Sequence, residues 1–355
     1  MAILPQAAVA FTSAVALTGV CSGAVFAHSS SSLHKPVYAF VVNSDTPTGQ
    51  HGSLAMVDTA SNQTVKVFKD GLGENPESVA VSPNGETAYV ASFGDVTHAQ
   101  VPQIVTALNA ETGKILATVQ VGLQPVQVVL SPDSKHLYVV NSGTVPDPGS
   151  IQVIDTTTLT VTATFSGIHN PAGIALSHNG RRAYVTDQSG NSVRVIDTSD
   201  GSIINTITLG DADVQPTGIV LSSDGRRAYV AENAAGAVAV IDTNADKVVG
   251  NAIRLPGFGM PYGLALTPDN KHLYVTEASS DEVAVVDTAT ATAKPNTITV
   301  GRNPTSVAIT PDGESAYVTS ASDDSKGVSV INTHTDTVSA SLNTGSSPFG
   351  IAITH

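Results

Sequence analysis

The fold is decided by a stretch of the kind found at residues 261–277, which read PYGLALTPDNKHLYVTE. A proline opens a short apolar run, a Pro-Asp-Asn segment follows, and a second apolar run ends on a glutamate. Asn and Asp accept the backbone conformations that tight turns require. The two apolar runs are therefore predicted to pair as an antiparallel hairpin.

The same unit recurs along the chain, so repetition is the first property to interpret. Its aromatic residues are 43 to 49 residues apart and begin seven copies of a strand motif: Phe40-Val-Val-Asn43, Tyr89-Val-Ala-Ser92, Tyr138-Val-Val-Asn141, Tyr184-Val-Thr-Asp187, Tyr229-Val-Ala-Glu232, Tyr274-Val-Thr-Glu277 and Tyr317-Val-Thr-Ser320. Each copy is followed by a third strand that ends in Asp or Asn, and by a fourth strand of alternating polarity. Four short strands in a repeat of this length are typical of a β-propeller blade.

The two ends of the repeat region predict how the ring closes. Residues 348–354 form a first strand that no second strand follows, whereas residues 35–40 form a second strand that no first strand precedes. The sequence therefore predicts an all-β, seven-bladed β-propeller with four antiparallel strands per blade, in which the C-terminal strand 348–354 completes the N-terminal blade. The alternative, an open stack of sheets, would need capping repeats, and none is visible.

The N-terminal segment has the features of a secretory signal peptide. Residues 3–27 carry no charge, are rich in Ala and Val, and end in the small-x-small pattern Val25-Phe26-Ala27. We expect a signal peptide at 1–27, a short polar linker at 28–35 and the propeller at 36–355, with the protein secreted, periplasmic or on the cell surface. Retention as an anchor or lipidation at Cys21, the single cysteine, are the alternatives.

The charge balance limits the partners. A formal net charge of −14 argues against a phosphate-neutralising surface for nucleic acid and against docking on anionic lipid. We therefore expect a monomer with no nucleic-acid partner and no membrane insertion after signal cleavage.

The strand motif resembles that of the YVTN-repeat (YncE-like) β-propellers, a group of exported bacterial and archaeal proteins. The resemblance covers the chain from Lys35 to its end. It implies the fold more than the function, because the motif residues are packing and turn positions. Related propellers include lactonases, amine-dehydrogenase heavy chains and binding scaffolds, so one fold carries many activities.

Function is expected on the face that carries the connections from second to third strand, which we call the loop face. From motif aromatic to third-strand Asp or Asn, the first three blades span 18, 20 and 17 residues, against 13 in the next three and 15 in the last. His51, His98 and His169 fall on this face and are candidate catalytic bases or transition-metal ligands. No short ligand spacing joins them, so exposed loop histidines are the alternative.

The last residue of each strand motif forms a second candidate set. Asn43 and Asn141 are candidate ligand-binding residues, and Asp187, Glu232 and Glu277 in three consecutive blades offer oxygen ligands suited to Ca²⁺ or Mg²⁺. The set resembles the Glu/Asn/Asp-bound divalent ion of propeller lactonases. If these positions lie too far apart to share an ion, they are solvated or hydrogen-bonded strand ends.

A third candidate set lies where the first strands begin. Tyr262, Phe349 and Arg302 interrupt an otherwise small and polar series of residues, and an aromatic pair near an arginine could hold a planar or anionic ligand. The alternative is that Tyr262 and Phe349 fill the core.

Two functional hypotheses follow. The first is an exported, non-catalytic scaffold that presents its loop face to a protein, peptide or glycan. The second is a divalent-metal-dependent, lactonase- or lyase-like enzyme that uses Asp187, Glu232 and Glu277 with a loop histidine as base. A bound metal and activity on lactones would favour the second.

Overall fold

The computed structural model describes residues 36–44, 52–94, 103–144, 148–210, 213–257, 259–322 and 327–354. The predictions for the signal peptide and linker, for the longest parts of the three expanded loops, and for His51 and His98 fall outside these ranges. Within them, no helical segment has the length and hydropathy that a membrane span needs.

The described chain forms seven antiparallel sheets, which we number as blades 1 to 7 in chain order. The inner strands are β30 (Pro348–Ile353) of blade 1, then β4 (Pro76–Val81), β8 (Pro125–Leu130), β12 (Pro171–Leu176), β16 (Pro216–Leu221), β21 (Pro261–Leu266) and β26 (Pro304–Ile309). The second strands are β1 (Tyr38–Asn43), β5 (Thr87–Ser92), β9 (His136–Asn141), β13 (Arg182–Asp187), β17 (Arg227–Glu232), β22 (His272–Glu277) and β27 (Ser315–Ser320).

The outer half of each blade follows the same order. The third strands are β2 (Ser53–Asp58), β6 (Ile104–Asn109), β10 (Gly149–Asp155), β14 (Ser192–Asp197), β18 (Ala237–Asp242), β23 (Glu282–Asp287) and β28 (Val328–Asn332). The outer strands are β3 (Gln63–Phe68), β7 (Ile115–Gln120), β11 (Thr160–Ile168), β15 (Ile203–Thr208) and β29 (Thr337–Leu342). In blades 5 and 6 the outer strand is split into β19 (Lys247–Val248) with β20 (Ile253–Arg254), and β24 (Thr292–Ala293) with β25 (Ile298–Thr299).

The ring closes as the sequence predicts. Strand β30 pairs antiparallel with β1, with Ala39 opposite Ile353 and Phe40 opposite Ala352. Each inner strand contacts the inner strands of the two neighbouring blades, in the closed order β30, β4, β8, β12, β16, β21, β26 and back to β30. The seven-bladed propeller with four antiparallel strands per blade is therefore confirmed.

In blades 4, 6 and 7 the tyrosine of the strand motif joins its blade to the next at the face opposite the loop face. The Tyr184 hydroxyl donates to the carbonyl oxygen of Thr243 (3.2 Å) and to Oδ1 of Asp246 (3.1 Å), both in the outer turn of blade 5. Tyr274 and Tyr317 make the same pair of bonds to blades 7 and 1. The aromatic position of the repeat is thus occupied by a side chain that both packs and joins blades.

The threonine of the motif joins blades around the channel. Thr186 Oγ1 accepts a hydrogen bond from the amide of Gly173 in its own blade (2.7 Å) and donates to the carbonyl of Thr217 in the next (2.7 Å). Thr276 and Thr319 repeat the arrangement in blades 6 and 7. The register of the inner strands shifts at this point, so some of their backbone groups have no partner in the neighbouring strand. The threonine hydroxyls form hydrogen bonds with these groups.

The inner strands approach one another so closely that four of them carry glycine at their third residue: Gly173, Gly218, Gly263 and Gly350. A Cβ atom at any of these positions would lie closer than 3.0 Å to a carbonyl oxygen of the neighbouring inner strand. Glycine is needed here for space rather than for its backbone freedom.

We expect Gly218→Ala to reduce the free energy of unfolding by on the order of 1–3 kcal/mol, because the added methyl group meets the carbonyl oxygen of Tyr262. Denaturant unfolding measures this loss. Ser306→Ala is the matched control, since the equivalent position of blade 7 already carries a Cβ, and its effect should stay within about 0.5 kcal/mol. Equal midpoints for the two variants would contradict the close approach.

Candidate functional site

The centre of the ring contains a cavity of about 220 Å³, which we call the central cavity. Its walls are the first residues after the opening proline of the inner strands. In each blade that proline pairs with the last residue of the second strand, as in Pro261 with Glu277 and Pro171 with Asp187. The central cavity therefore lies toward the loop face, where the inner strands begin and the second strands end.

Glu77 is the one charged side chain among the described residues that line the central cavity. It follows Pro76 at a point where the register of β4 against β5 shifts, and such irregularities redirect side chains. Burial raises the pKa of Glu77 from 4.5 to about 7. A carboxyl group with that pKa exchanges its proton near neutral pH, as a general base or acid requires.

Two aromatic rings line the central cavity together with this carboxyl group. Tyr262 of blade 6 and Phe349 of blade 1 pack edge to face, with ring centroids 6.2 Å apart and planes at 85°. Burial, together with the negative charge of Glu77, raises the pKa of Tyr262 to about 12. The Tyr262 hydroxyl therefore keeps its proton at neutral pH and is available as a hydrogen-bond donor.

The other polar side chains of the wall are held by the scaffold. Gln127 Oε1 accepts from the amide of Ile174 (2.7 Å), and Thr217 Oγ1 donates to the carbonyl of Pro261 (3.0 Å). Glu77, Tyr262 and Phe349 therefore give the central cavity its chemical character. Of the three candidate ligand-binding residues, Tyr262 and Phe349 line the central cavity, whereas Arg302 is exposed ahead of β26 and is not among the lining residues. Ligand binding by these residues stays a prediction.

The three strand-end carboxylates do not form a shared site. Asp187 Oδ2 is bound by Nε (2.9 Å) and Nη2 (2.8 Å) of Arg194, and Oδ1 accepts from the amide of Gly190 (2.8 Å). Glu232 is buried in its own blade, where burial raises its pKa and the charge of Arg254 opposes that rise.

Glu277 has local neighbours of its own. Burial, with a smaller contribution from the charge of Glu282, raises its pKa to about 7. No group of three or more His, Cys, Asp or Glu side chains in the described part of the chain could hold a metal ion. The set of Asp187, Glu232 and Glu277 thus does not fit one shared Ca²⁺ or Mg²⁺, because each carboxylate faces partners of its own blade.

The remaining candidates lie at the loop face without reaching the central cavity. Asn43 is buried and its amide bonds Ser53 Oγ (3.0 Å), the carbonyl of Thr344 (3.0 Å) and Thr344 Oγ1 (3.1 Å). Asn141 donates to Ser150 Oγ (3.3 Å) and Gln152 Oε1 (3.2 Å). His169 is exposed just before β12.

Glu77 is the residue that the sequence interpretation missed. The signal was present at the position after each opening proline, which reads Glu77, Val126, Ala172, Thr217, Tyr262, Thr305 and Phe349 from blade 2 round to blade 1. One carboxylate in a series of apolar and hydroxyl side chains breaks the repeat as clearly as the two aromatic rings do.

A family model described as "Lactonase, 7-bladed beta-propeller" matches residues 31–297. The chain belongs to this family. The assignment to the YVTN-repeat, YncE-like group is therefore wrong, and so is the preferred interpretation as a non-catalytic scaffold for a protein, peptide or glycan. The lactonase alternative is the better supported of the two.

Solved structures of the same fold include lactonases and other proteins. The periplasmic gluconolactonase of Pseudomonas aeruginosa has a TM-score of 0.75 and 18% identity, over 90% of this chain and 99% of that one. A putative 6-phosphogluconolactonase from Bacteroides uniformis has a TM-score of 0.72 and 17% identity, over 90% and 100%. Hydrazine synthase of Kuenenia stuttgartiensis has a TM-score of 0.67 and 22% identity, over 79% and 89%. No curated protein matches the sequence.

Glu77 should make the stability of this lactonase-family propeller depend on pH. The pKa of Glu77 is raised in the folded protein. Its contribution to the free energy of unfolding is therefore most favourable below about pH 4.5 and is lost as the pH rises through about 7. At about pH 8, Glu77→Gln should therefore raise the free energy of unfolding by on the order of 2 kcal/mol, and near pH 5 by little.

Urea unfolding at the two pH values measures this difference. Glu86→Gln is the control, because Glu86 is exposed in the β4–β5 turn at the other end of the same hairpin. It should have no effect at either pH. If Glu77→Gln changed the free energy of unfolding equally at the two pH values, burial would not be raising the pKa of Glu77.

Proposed function

We propose that this protein hydrolyses lactones of small polyhydroxy acids in the central cavity. The observation that carries the proposal is the Glu77 carboxyl group, which has a near-neutral pKa inside a cavity at the centre of a lactonase-family propeller. The fold alone would not support it, since one fold hosts many activities.

Glu77 acts as the general base in this reaction. Its carboxylate takes a proton from a water molecule while the water oxygen attacks the lactone carbonyl carbon. The ring C–O bond of the tetrahedral intermediate then breaks, and Glu77 returns the proton to the departing ring oxygen. One water is added, the open-chain hydroxy acid is released, and the carboxylate is restored.

Tyr262 and Phe349 position the substrate and support the developing charge. The protonated hydroxyl of Tyr262 is a donor for the carbonyl oxygen as it becomes an oxyanion, and such donors are effective where water is excluded. The edge-to-face ring pair gives the central cavity a rigid apolar wall for the C–H face of a sugar ring.

The substrate is an uncharged lactone. The described lining residues include no Lys or Arg, and Glu77 supplies negative charge. The connections from second to third strand carry more negative than positive charge. They include segments with five Asp and one Lys in total: 45–51, 95–102, 145–147 and 323–326. A phosphorylated substrate would meet like charges in a poorly solvated space, which costs binding free energy.

Export is part of the proposal. The uncharged apolar segment 3–27 and the cleavage pattern at Ala27 support it, and one protein of the same fold is a periplasmic gluconolactonase.

Hydrolysis of glucono-1,5-lactone, corrected for its spontaneous rate, tests the assignment of Glu77. We expect Glu77→Gln to lower kcat/KM by about 10²–10⁴-fold, because the amide cannot accept the proton. In the unmutated protein kcat/KM should rise with pH through about 7, as Glu77 ionises. Glu86→Gln should leave both the rate and the profile unchanged. Full activity in Glu77→Gln would remove the carboxyl group from the mechanism.

Comparison of glucono-1,5-lactone with its 6-phosphate tests the substrate class. We expect kcat/KM to favour the uncharged lactone by at least about tenfold, which corresponds to about 1.4 kcal/mol. Salt should change the ratio little, because buried charges are poorly screened. A ratio that salt abolishes would show that charges outside the central cavity make the discrimination. Faster turnover of the phosphate would contradict the assignment of the substrate.

A further inference from the structure

The strand-end carboxylates of blades 4, 5 and 6 occupy equivalent positions but have different neighbours. In blade 4, Arg194 binds Asp187. In blade 5, Arg254 of β20 lies opposite Ala237 and its charge acts on Glu232. In blade 6, the position of Ala237 is occupied by Glu282 and the position of Arg254 by Thr299. Blade 6 therefore has a second carboxylate in place of an alanine, and it lacks the arginine that its neighbour carries on the next strand.

Both carboxylates of blade 6 lie close to Gly257. Glu277 is completely buried; its Oε1 accepts from the amide of Gly259 (3.2 Å), whereas its Oε2 has no hydrogen-bond partner among the described residues. A methyl group placed on Gly257 would lie 2.8 Å from that Oε2 and 3.1 Å from Oε2 of Glu282. Ser280 Oγ adjoins the same loop, next to Gly259.

This arrangement needs a positive charge that the described chain does not supply. Neither Glu277 nor Glu282 forms an ion pair with a described Lys, Arg or His. A buried carboxylate that has one oxygen without a hydrogen bond and lies next to another carboxylate is unstable unless one of the two is protonated or a cation lies between them. Carboxylate and hydroxyl oxygens at a glycine loop are ligands of the kind that calcium takes.

We propose that blade 6 binds a calcium ion between Glu277 and Glu282, with Ser280 Oγ at its edge, in place of the arginine that blades 4 and 5 provide. The site is independent of the central cavity and of the proposed lactone hydrolysis. It fixes the loop that leads into β21, where the amide of Met260 already bonds Ser279 Oγ (3.1 Å) and its carbonyl accepts from Ala278 (3.0 Å).

Thermal unfolding of the chelator-treated, full-length protein during a calcium titration tests the proposal. We expect the melting temperature to rise by several degrees, with a dissociation constant on the order of 10⁻⁴ M or tighter. Glu282→Gln should weaken the calcium affinity at least about tenfold, because it removes one charged ligand. Isothermal titration gives the affinity independently of unfolding.

A substitution copied from blade 5 provides the sharper test. Thr299→Arg places a guanidinium group where blade 5 has Arg254, so the variant should melt higher than the unmutated protein without calcium and should no longer respond to calcium. Thr208→Arg, at the equivalent position of blade 4, is the matched control and should retain the full calcium response. It adds the same charge to the same edge of another blade.

Two outcomes would overturn the calcium site. The first is a melting temperature that calcium changes neither at about pH 6 nor at about pH 8. It would mean that Glu277 and Glu282 share a proton instead of a calcium ion. The second is an equal calcium response in the unmutated protein, Glu282→Gln and Thr299→Arg, which would mean adventitious binding at exposed carboxylates. Circular dichroism confirms in each case that the variant is folded.

Discussion

The approach of seven inner strands around one axis is the constraint on which the rest of the structure depends. At Gly173, Gly218, Gly263 and Gly350 the neighbouring blade's carbonyl oxygen occupies the space of a Cβ atom. In these four blades no side chain can extend from the third residue of the inner strand, whereas the residue after the opening proline can be large, as Tyr262 and Phe349 show. The chemistry of the central cavity is confined by this geometry to a few positions, of which Glu77, Tyr262 and Phe349 are the distinctive ones.

The same contacts explain why the strand motif identifies the fold but not the family. The motif tyrosine reaches the outer turn of the next blade, as Tyr184 does to Asp246, and the motif threonine reaches the next inner strand, as Thr186 does to Thr217. Both bonds hold blades together and neither side chain contributes a reactive group to the central cavity. The assignment to the YVTN-repeat group rested on residues whose role in this chain is to join blades, and such residues indicate the fold rather than the family.

The fold could be predicted from the sequence because the same local signals recur from repeat to repeat. These are an opening proline, a turn that contains Asn or Asp, and an Asp or Asn whose side chain caps the next turn, as Asp58 does for the amides of Ala60 and Ser61. The site could not be predicted in the same way. Asp187, Glu232 and Glu277 are equivalent in the repeat, yet their surroundings are set by Arg194, Arg254 and Glu282, which occupy different repeat positions. The residues that differ between repeats, rather than those that recur, determine the chemical surroundings of each carboxylate.

Blade 6 connects that divergence to the central cavity through one pair of residues. Pro261, which opens β21, lies opposite Glu277 in the ladder, and Tyr262 is the next residue along the chain. The position of the Tyr262 ring against Phe349 therefore depends on how the backbone is held at Glu277, where a buried carboxylate has an oxygen without a described partner. The close approach of the neighbouring inner strand at Gly263 leaves β21 little room to shift alone. One inner strand therefore carries both the residue opposite the strand-end carboxylate and the ring that lines the central cavity, so the divergence of blade 6 lies within one residue of the cavity wall.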